Sequence, residues 1–256
     1  MTTYPTSKRW YEEWFDSEYY LQLYSHRNDI EAEACIDIVQ RATQFHPNDV
    51  DKCRVLDIAC GAGRHAITLA KRGFDVTAVD LSTNLLRHAH TQGQKEKVSI
   101  KFLQLDMRSL DFKAEFDLAV QLFSSFGYFN TVDEDFAVIQ GARRSLRDIG
   151  YYAIDLINPL VLEKTLIPKS TKVLDDGVKI IEERKIVEDR VEKEITVQLK
   201  KEKLKFHESV RIYTPEKIER LLREAGFLPT HWFEDYAGLP FDRERSRRMI
   251  IVNKVV

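Results

Sequence analysis

Val55-Leu56-Asp57-Ile58-Ala59-Cys60-Gly61-Ala62-Gly63-Arg64-His65 is the stretch on which the fold turns. Val55, Leu56 and Ile58 belong to a short apolar strand, Arg54 to Ile58, and Gly61-Ala62-Gly63 ends it just before a helical pattern that runs from Arg64 to Lys71 and stops at Gly73. A chain that turns from strand to helix in so few residues, and lets a ligand touch its backbone there, needs glycine, which has no β-carbon and tolerates positive φ. Phe74 to Asp80 reads as the next strand. The end of a second strand lies beside the first loop in a strand–helix–strand unit, so the Asp80 carboxylate can accept both hydroxyls of a ribose.

Dinucleotide enzymes share a glycine loop followed by an acidic strand end, and two details separate this chain from them. Their third glycine is absent, since His65 and Ala66 follow Gly63, and a diphosphate needs that close approach to a helix start. Asp57, at the end of the first strand, would repel a diphosphate but suits an ammonium group.

Outward from the loop the alternation continues. Ser82 can cap a helix that carries Leu85, Leu86 and Ala89, with Leu81 on the same side; Val98–Leu105 and Phe116–Phe123 read as the third and fourth strands. Thr131-Val132-Asp133-Glu134 has capping-box form and starts a helix to about Leu146, and Tyr151–Ile157 reads as a fifth strand. Strands and helices alternating through short loops imply a mostly parallel sheet covered on both faces. From Thr171 to Tyr213 the helical pattern stops. Extended runs joined at Asp176-Gly177, Glu188-Asp189-Arg190 and near Lys200-Lys201-Glu202 read as an antiparallel insertion of about four strands. In the last of these, Leu204, Phe206, Val210 and Ile212 share one face, with Glu208 out of pattern, and Lys205, His207, Ser209, Arg211 and Tyr213 share the other. One of the two faces is expected to roof the site. Thr214-Pro215 opens a helix ended by Gly226, and strands near Phe227–Phe233 and Arg248–Val252 finish the chain. No linker-like segment divides it, so residues 1–256 read as one domain with 171–213 inserted.

Residues 1–46 read as a helical region. It opens on the aromatic stretch Trp10-Tyr11-Glu12-Glu13-Trp14-Phe15, continues through Tyr19, Tyr20 and Tyr24, and ends in a helix from about Asp29 to Ala42 with Ile30, Ala34, Ile38 and Ala42 on one face. Either these aromatics pack helices on the sheet, or they form a lid.

Composition narrows the partners. Of the 256 residues 43% are hydrophobic and 31% charged, with 39 basic against 41 acidic and a net charge of −2, so no nucleic-acid partner is expected. The run from Lys193 to Lys205 is interleaved with Glu194 and Glu202 and reads as a solvated face. The first ten residues lack the apolar core of a signal peptide, and no stretch suits a membrane span, so no membrane partner is expected. Cys35, Cys53 and Cys60 form no metal-type pair. If one strand runs from Cys53 to Asp57, Cys53 and Cys60 start roughly 13–17 Å apart at ~3.3 Å per residue, too far for a disulfide, which needs α-carbons within about 7 Å. A reducing cytoplasm and no metal are the expectation.

The motifs together resemble the class I S-adenosylmethionine-dependent methyltransferases over nearly the whole chain. VLDIACGAGRH is similar to their first motif, FDVTAVDLS to the second, Leu105-Asp106-Met107-Arg108 to the third and FDLAVQLFSSFGYF to the fourth-strand motif. Among them the chain looks most like small-molecule members, including amino-sugar N-methyltransferases, through Phe123–Tyr128, Arg211–Thr214 and Ser246–Val252. The resemblance implies a Rossmann-like α/β fold with a seven-stranded, mostly parallel sheet whose last strand is antiparallel. It implies S-adenosylmethionine held by Asp57, Gly61, Gly63, Asp80, Leu81, Asp106, Met107 and the strand end at Leu122. It also implies a leading helix over the cofactor, with Arg27, Tyr11 or Tyr19 at the methionine end. Methyl transfer to a small-molecule N or O acceptor is then expected, with Tyr128, Arg211 and Tyr236 as the acceptor-side catalytic residues; His207 and Tyr213 are further candidates there. Other readings of the same motifs are a module that binds S-adenosylmethionine without catalysis and an RNA or protein methyltransferase. An exposed edge strand in the insertion is a candidate surface for a homodimer.

Overall fold

The computed structural model describes residues 9–24, 29–46, 53–174 and 177–256. Strands β1 (Arg54–Ile58), β2 (Asp75–Asp80), β3 (Ile100–Gln104), β4 (Phe116–Gln121), β5 (Leu146–Ile157), β10 (Phe227–Phe233) and β11 (Arg248–Val255) form one sheet in the order β3-β2-β1-β4-β5-β11-β10. β11 runs antiparallel to both β5 and β10, and the other neighbours are parallel. This is the expected seven-stranded sheet with its final strand reversed. Strand order changes direction at β1 and β4, where an open α/β sheet leaves a crevice beyond its carboxyl ends.

Helices α3 (Asp29–Thr43), α4 (Arg64–Lys71) and α5 (Thr83–Lys95) accompany one half of the core, and α6 (Val132–Ser145) and α8 (Pro215–Glu224) the other. Their starts follow local chemistry. Ser82 accepts from the Leu85 amide, Thr131 and Glu134 close a capping box, and Thr214 caps α8 with Pro215 in its first turn. The face expected of α3 needs correction. Ile30 is 73% exposed, and the buried stripe is Ala32, Cys35, Ile36, Val39 and Thr43, joined by Ile38. Its 3–4 spacing meets α4 and β11, while Ile30 sits in the first turn, facing outward.

The insertion folds as a separate antiparallel sheet of β6 (Lys169–Val173), β7 (Lys179–Val187), β8 (Arg190–Gln198) and β9 (Lys203–Arg211). Its apolar face packs on two short helices, α1 (Trp10–Trp14) and α2 (Glu18–Leu23), with Trp14 fully buried among Ile180, Ile195, Val197 and Phe206. The residue out of pattern, Glu208, lies on that face. Its carboxylate accepts from the Trp14 indole N–H and pairs with Lys193 of β8, whose ammonium also donates to Tyr24. A break in the alternation thus marks where the sheet holds the amino-terminal helices.

One helix escaped the sequence reading. Asn158 caps α7 (Pro159–Thr165), accepting from the Leu160 amide while its own amide donates to the carbonyls of Arg243 and Ser246. Asn158-Pro159 is therefore a capped helix start. Cys35, Cys53 and Cys60 are buried, and no His, Cys, Asp and Glu cluster among the described residues could hold a metal. No described helix is long and apolar enough to cross a membrane.

Candidate active site

A cavity of about 470 Å³ lies where the sheet ends, lined by the segments that follow β1 to β4: Ala59–Ala62, Asp80–Ser82, Leu105–Met107 and Leu122–Phe123. Tyr11, Phe15 and Tyr20 close it from the amino-terminal helices, and Tyr128 and Phe129 from the loop before α6.

The glycine loop is held by the next strand. Asp80 accepts the Gly61 amide at 2.8 Å on one carboxylate oxygen and the Ser82 amide at 2.9 Å on the other. Burial raises its pKa, while these amides act in the opposite sense. The two glycines have different reasons to be there. Gly61 (φ +56) lines the cavity, and a β-carbon on it would meet nothing within 4 Å. Gly63 (φ +83) is off the cavity wall, and its β-carbon would stand 2.8 Å from that of Ala89; it lets α4 and α5 approach.

Asp57 is 2% exposed. It takes the Ala66 amide, yet Oδ2 finds no hydrogen-bond partner among the described residues. Burial, then the charge of Asp80, push its pKa up to about 8. Asp57 does not itself line the cavity; its unpartnered oxygen lies two residues before the loop segment, Ala59–Ala62, that does.

Asp106 is less free than its motif suggests. Arg108 donates to both carboxylate oxygens at 3.1 Å through Nε and lies 4.4 Å over the Phe129 ring. Burial opposes ionisation of Asp106, but Arg108 prevails and holds it below the ordinary carboxylate range. Leu81, Asp106, Met107 and Leu122 all line the cavity, and Met107 is fixed by Gln121, whose amide reaches its sulfur at 3.4 Å. Arg27 lies outside the described residues. Tyr19 is not on the cavity wall, whereas Tyr11 is.

Of the expected acceptor-side residues only Tyr128 reaches the cavity. Its hydroxyl donates to the Ser124 carbonyl at 3.2 Å, and its ring lies 5.3 Å from both Trp10 and Phe15. The structure places Arg211, Tyr213 and Tyr236 elsewhere: Arg211 and Tyr213 bind the buried Asp135, and Tyr236 binds the buried Asp155. His207 projects from the outer face of β9 and pairs with Glu192. Neither face of β9 lines the cavity, because α1 and α2 stand between. The insertion backs a lid rather than forming a roof.

Sequence reasoning missed Asp16. Its carboxylate accepts from the Ser82 hydroxyl at 2.7 Å and the Asn84 amide at 3.0 Å, docking the amino-terminal helices on the loop that carries Asp80. An acidic residue beside Ser17, the cap of α2, was its only local signal.

Comparison with known proteins agrees with this geometry. Residues 55–150 match the family model described as "Methyltransferase domain". The Bacillus subtilis (strain 168) protein YqeM, a methyltransferase by name, is 36% identical over 107 residues, 41% of this chain and 43% of that one. The chain spans less than half the length of the curated relatives it matches. Over the whole fold, an S-adenosylmethionine-dependent methyltransferase from Clostridium acetobutylicum superposes with a TM-score of 0.77 at 18% identity, covering 93% of this chain and 96% of that one. The sugar N-methyltransferase KedS8 from Streptoalloteichus superposes at 0.73 with 20% identity, covering 100% and 96%. The fold is that of the class I S-adenosylmethionine-dependent methyltransferases, and residues 55–150 are a methyltransferase domain.

Proposed function

We propose that this chain is an S-adenosylmethionine-dependent methyltransferase that moves a methyl group to a small-molecule N or O acceptor by in-line transfer. The carrying observation is the Asp80 carboxylate, fixed by the Gly61 and Ser82 amides on a cavity whose facing wall is aromatic. The residues on the cavity fit the cofactor: Asp80 for the ribose, Leu81 and Met107 for the adenine faces, Asp106 at its edge and the open side of Gly61 for close approach; Asp57, off the wall but with an unpartnered oxygen, is assigned to the methionine ammonium. When bound, the sulfonium supplies a methyl group that is already activated. The protein then has to orient the acceptor and exclude water. Tyr11, Phe15, Tyr20 and Tyr128 suit that task.

A small acceptor is supported by the modest size of the cavity, about 470 Å³, and by a net charge of −2, which gives a polyanion no attraction. Both acceptor chemistries occur among the proteins it resembles, a sugar N-methyltransferase and a ubiquinone biosynthesis O-methyltransferase. The reading includes a reducing, cytoplasmic setting and a homodimer through β6, the strand of the small sheet that pairs only with β7; sedimentation at micromolar concentration tests the latter.

Calorimetry with S-adenosylhomocysteine is the direct test. Micromolar affinity, roughly −8 kcal/mol, is expected, and Asp80→Ala should weaken it by about 1–3 kcal/mol. Unchanged affinity would remove Asp80 from the site, and preference for a nicotinamide dinucleotide would overturn the reading. Turnover with any acceptor separates an enzyme from a binding module.

A further inference from the structure

Three stretches far apart in the chain, Phe123–Tyr128, Arg211–Thr214 and Ser246–Val252, meet at one segment of the cavity wall. That segment runs from the end of β4 to the start of α6 and presents Phe123, Ser125, Tyr128 and Phe129 to the cavity.

Its first end is in an unfavourable conformation. Phe123 and Ser124 are consecutive non-glycine residues with φ of +63° and +62°, a region that side chains with a β-carbon seldom enter unless neighbours hold them there. A single residue, Asp155 of β5, holds both. Its carboxylate accepts the Phe123 amide at 2.9 Å, and its main-chain carbonyl accepts the Ser124 amide at 2.9 Å. The Asp155 side chain is completely buried and is oriented in turn by Arg248, which donates through Nε at 2.8 Å, and by the Tyr236 hydroxyl at 2.8 Å. Arg248 also reaches the Ser124 hydroxyl at 3.0 Å.

The second end repeats the device with different residues. Asp135 of α6, also completely buried, accepts the Phe129 amide at 3.3 Å on one oxygen. The other accepts Arg211 at 2.9 Å and the Tyr213 hydroxyl at 2.7 Å. Arg211 donates further to the carbonyls of Phe129 and Asn130. Its main-chain amide donates to the Gly127 carbonyl at 2.7 Å, so close that a β-carbon on Gly127 would fall 2.3 Å from the Arg211 carbonyl oxygen. At each end one buried carboxylate thus takes one arginine, one tyrosine and one segment amide, and at the first end the Asp155 carbonyl takes a second amide. A buried carboxylate with this many donors is well held, and loss of a donor loosens what it orients.

We propose that Arg211 and Tyr213 acting through Asp135, and Arg248 and Tyr236 acting through Asp155, are positioning residues: two independent clamps that fix the acceptor-facing wall and the place of Tyr128 in it. None of the six reaches the cavity, so each acts through the segment it holds. The assignment of that wall to the acceptor rests on the methyltransferase reading above.

Residue-resolved amide exchange on the intact protein tests the clamps without an acceptor. Asp155→Asn should speed exchange of the Phe123 and Ser124 amides at least tenfold and that of Phe129 less than threefold; Asp135→Asn should do the reverse. Tyr236→Phe and Tyr213→Phe, which each remove one hydroxyl, should give the same crossed pattern with smaller amplitude and serve if an aspartate variant does not fold. In fluorotyrosine-labelled protein the ¹⁹F resonance of position 128, assigned by its loss in Tyr128→Phe, should shift in both sets. S-adenosylhomocysteine affinity should stay within threefold. Equal acceleration at both ends, or none at either, would show that the residues support only the fold and would overturn the proposal. An affinity loss of more than tenfold in the clamp variants would also overturn it, by moving the clamps to the cofactor half. Wild-type protein that binds no S-adenosylhomocysteine would instead defeat the methyltransferase reading, leaving the crossed exchange pattern to decide the clamps.

Discussion

The Trp14 indole of α1 donates to the Glu208 carboxylate of β9, joining residues 194 positions apart at a buried contact. Lys193 sits on the other carboxylate oxygen of Glu208 and reaches Glu182 at 3.5 Å. Removing the acid should therefore cost more than removing the indole. Glu208→Leu leaves a largely buried ammonium poorly paired and is expected to destabilise by about 3–5 kcal/mol. Trp14→Phe loses one hydrogen bond to a charged group, about 1–3 kcal/mol. Urea denaturation of both singles and the double variant measures this, and the double should cost less than the two singles added. A neutral or stabilising Glu208→Leu would show that the contact does not hold the lid.

The two glycines of the loop should fail in different ways. Gly63→Ala meets Ala89 and sits at φ +83, so it should lower the melting temperature with cofactor binding reduced only through instability. Gly61→Ala has open space before it and bears only the left-handed backbone cost, about 1–2 kcal/mol. Its methyl group takes up room on the cavity wall, so S-adenosylhomocysteine affinity should fall in a protein that still folds. Melting curves and calorimetry on both variants check the contrast, and an unaltered affinity in Gly61→Ala would count against close approach at that residue.

Asp57 makes stability depend on pH in a definite direction. Its pKa in the folded protein is pushed up to about 8 from an ordinary 3.8, so between those values the folded state keeps a proton that the unfolded chain has lost. Stability from this group is present below about pH 4 and is lost as pH rises through about 8, at up to about 1.4 kcal/mol per pH unit. Asp57→Asn should consequently match the wild type near pH 4 and exceed it at pH 9 when ligand is absent. If a bound ammonium makes Asp57 ionise, wild-type binding near pH 7 should also release a proton, visible as a calorimetric heat that varies with buffer ionisation enthalpy. A stability difference independent of pH would show that Asp57 is ionised in the free protein.

Tyr128 donates to a main-chain carbonyl and lies among aromatic rings, the setting of a wall residue. With an amine acceptor Tyr128→Phe should lower kcat by about 10-fold or less, whereas loss of a general base costs ~10²–10⁴-fold. The profile of kcat against pH for both proteins decides this. A thousandfold loss with the ionisation of one limb abolished would make Tyr128 a base and the acceptor a hydroxyl.

Much of this was legible in the sequence, for identifiable reasons. Gly61, Asp80 and the strands around them follow from local rules, a turn that needs glycine and an alternation that needs a covered sheet, and Met107 came with the family resemblance; all three residues line the cavity. The antiparallel insertion was equally readable from period-two alternation and turn residues, and its strands run from Lys169 to Arg211. Arg211 and Tyr236 carry no such local rule. Their surroundings depend on Asp135 and Asp155, 76 and 81 positions away, and periodicity contains nothing about which distant carboxylate a side chain will meet. Phe123 is a similar case. Its apolar neighbours extend the strand pattern, yet its left-handed backbone, imposed by Asp155, ends β4 at Gln121.

The approach of Gly127 to the Arg211 backbone has a consequence for engineering. With 2.3 Å between a notional β-carbon and the carbonyl oxygen, the loop and the final strand of the small sheet are fitted to each other as one part. Grafting the insertion alone from a homologous enzyme, in the hope of changing acceptor choice, would bring in a strand that fits another loop. The transferable module in this scaffold is the pair, residues 122–135 together with 169–213, and a chimera cut to keep them together should express and melt as a single unit where one cut between them would not.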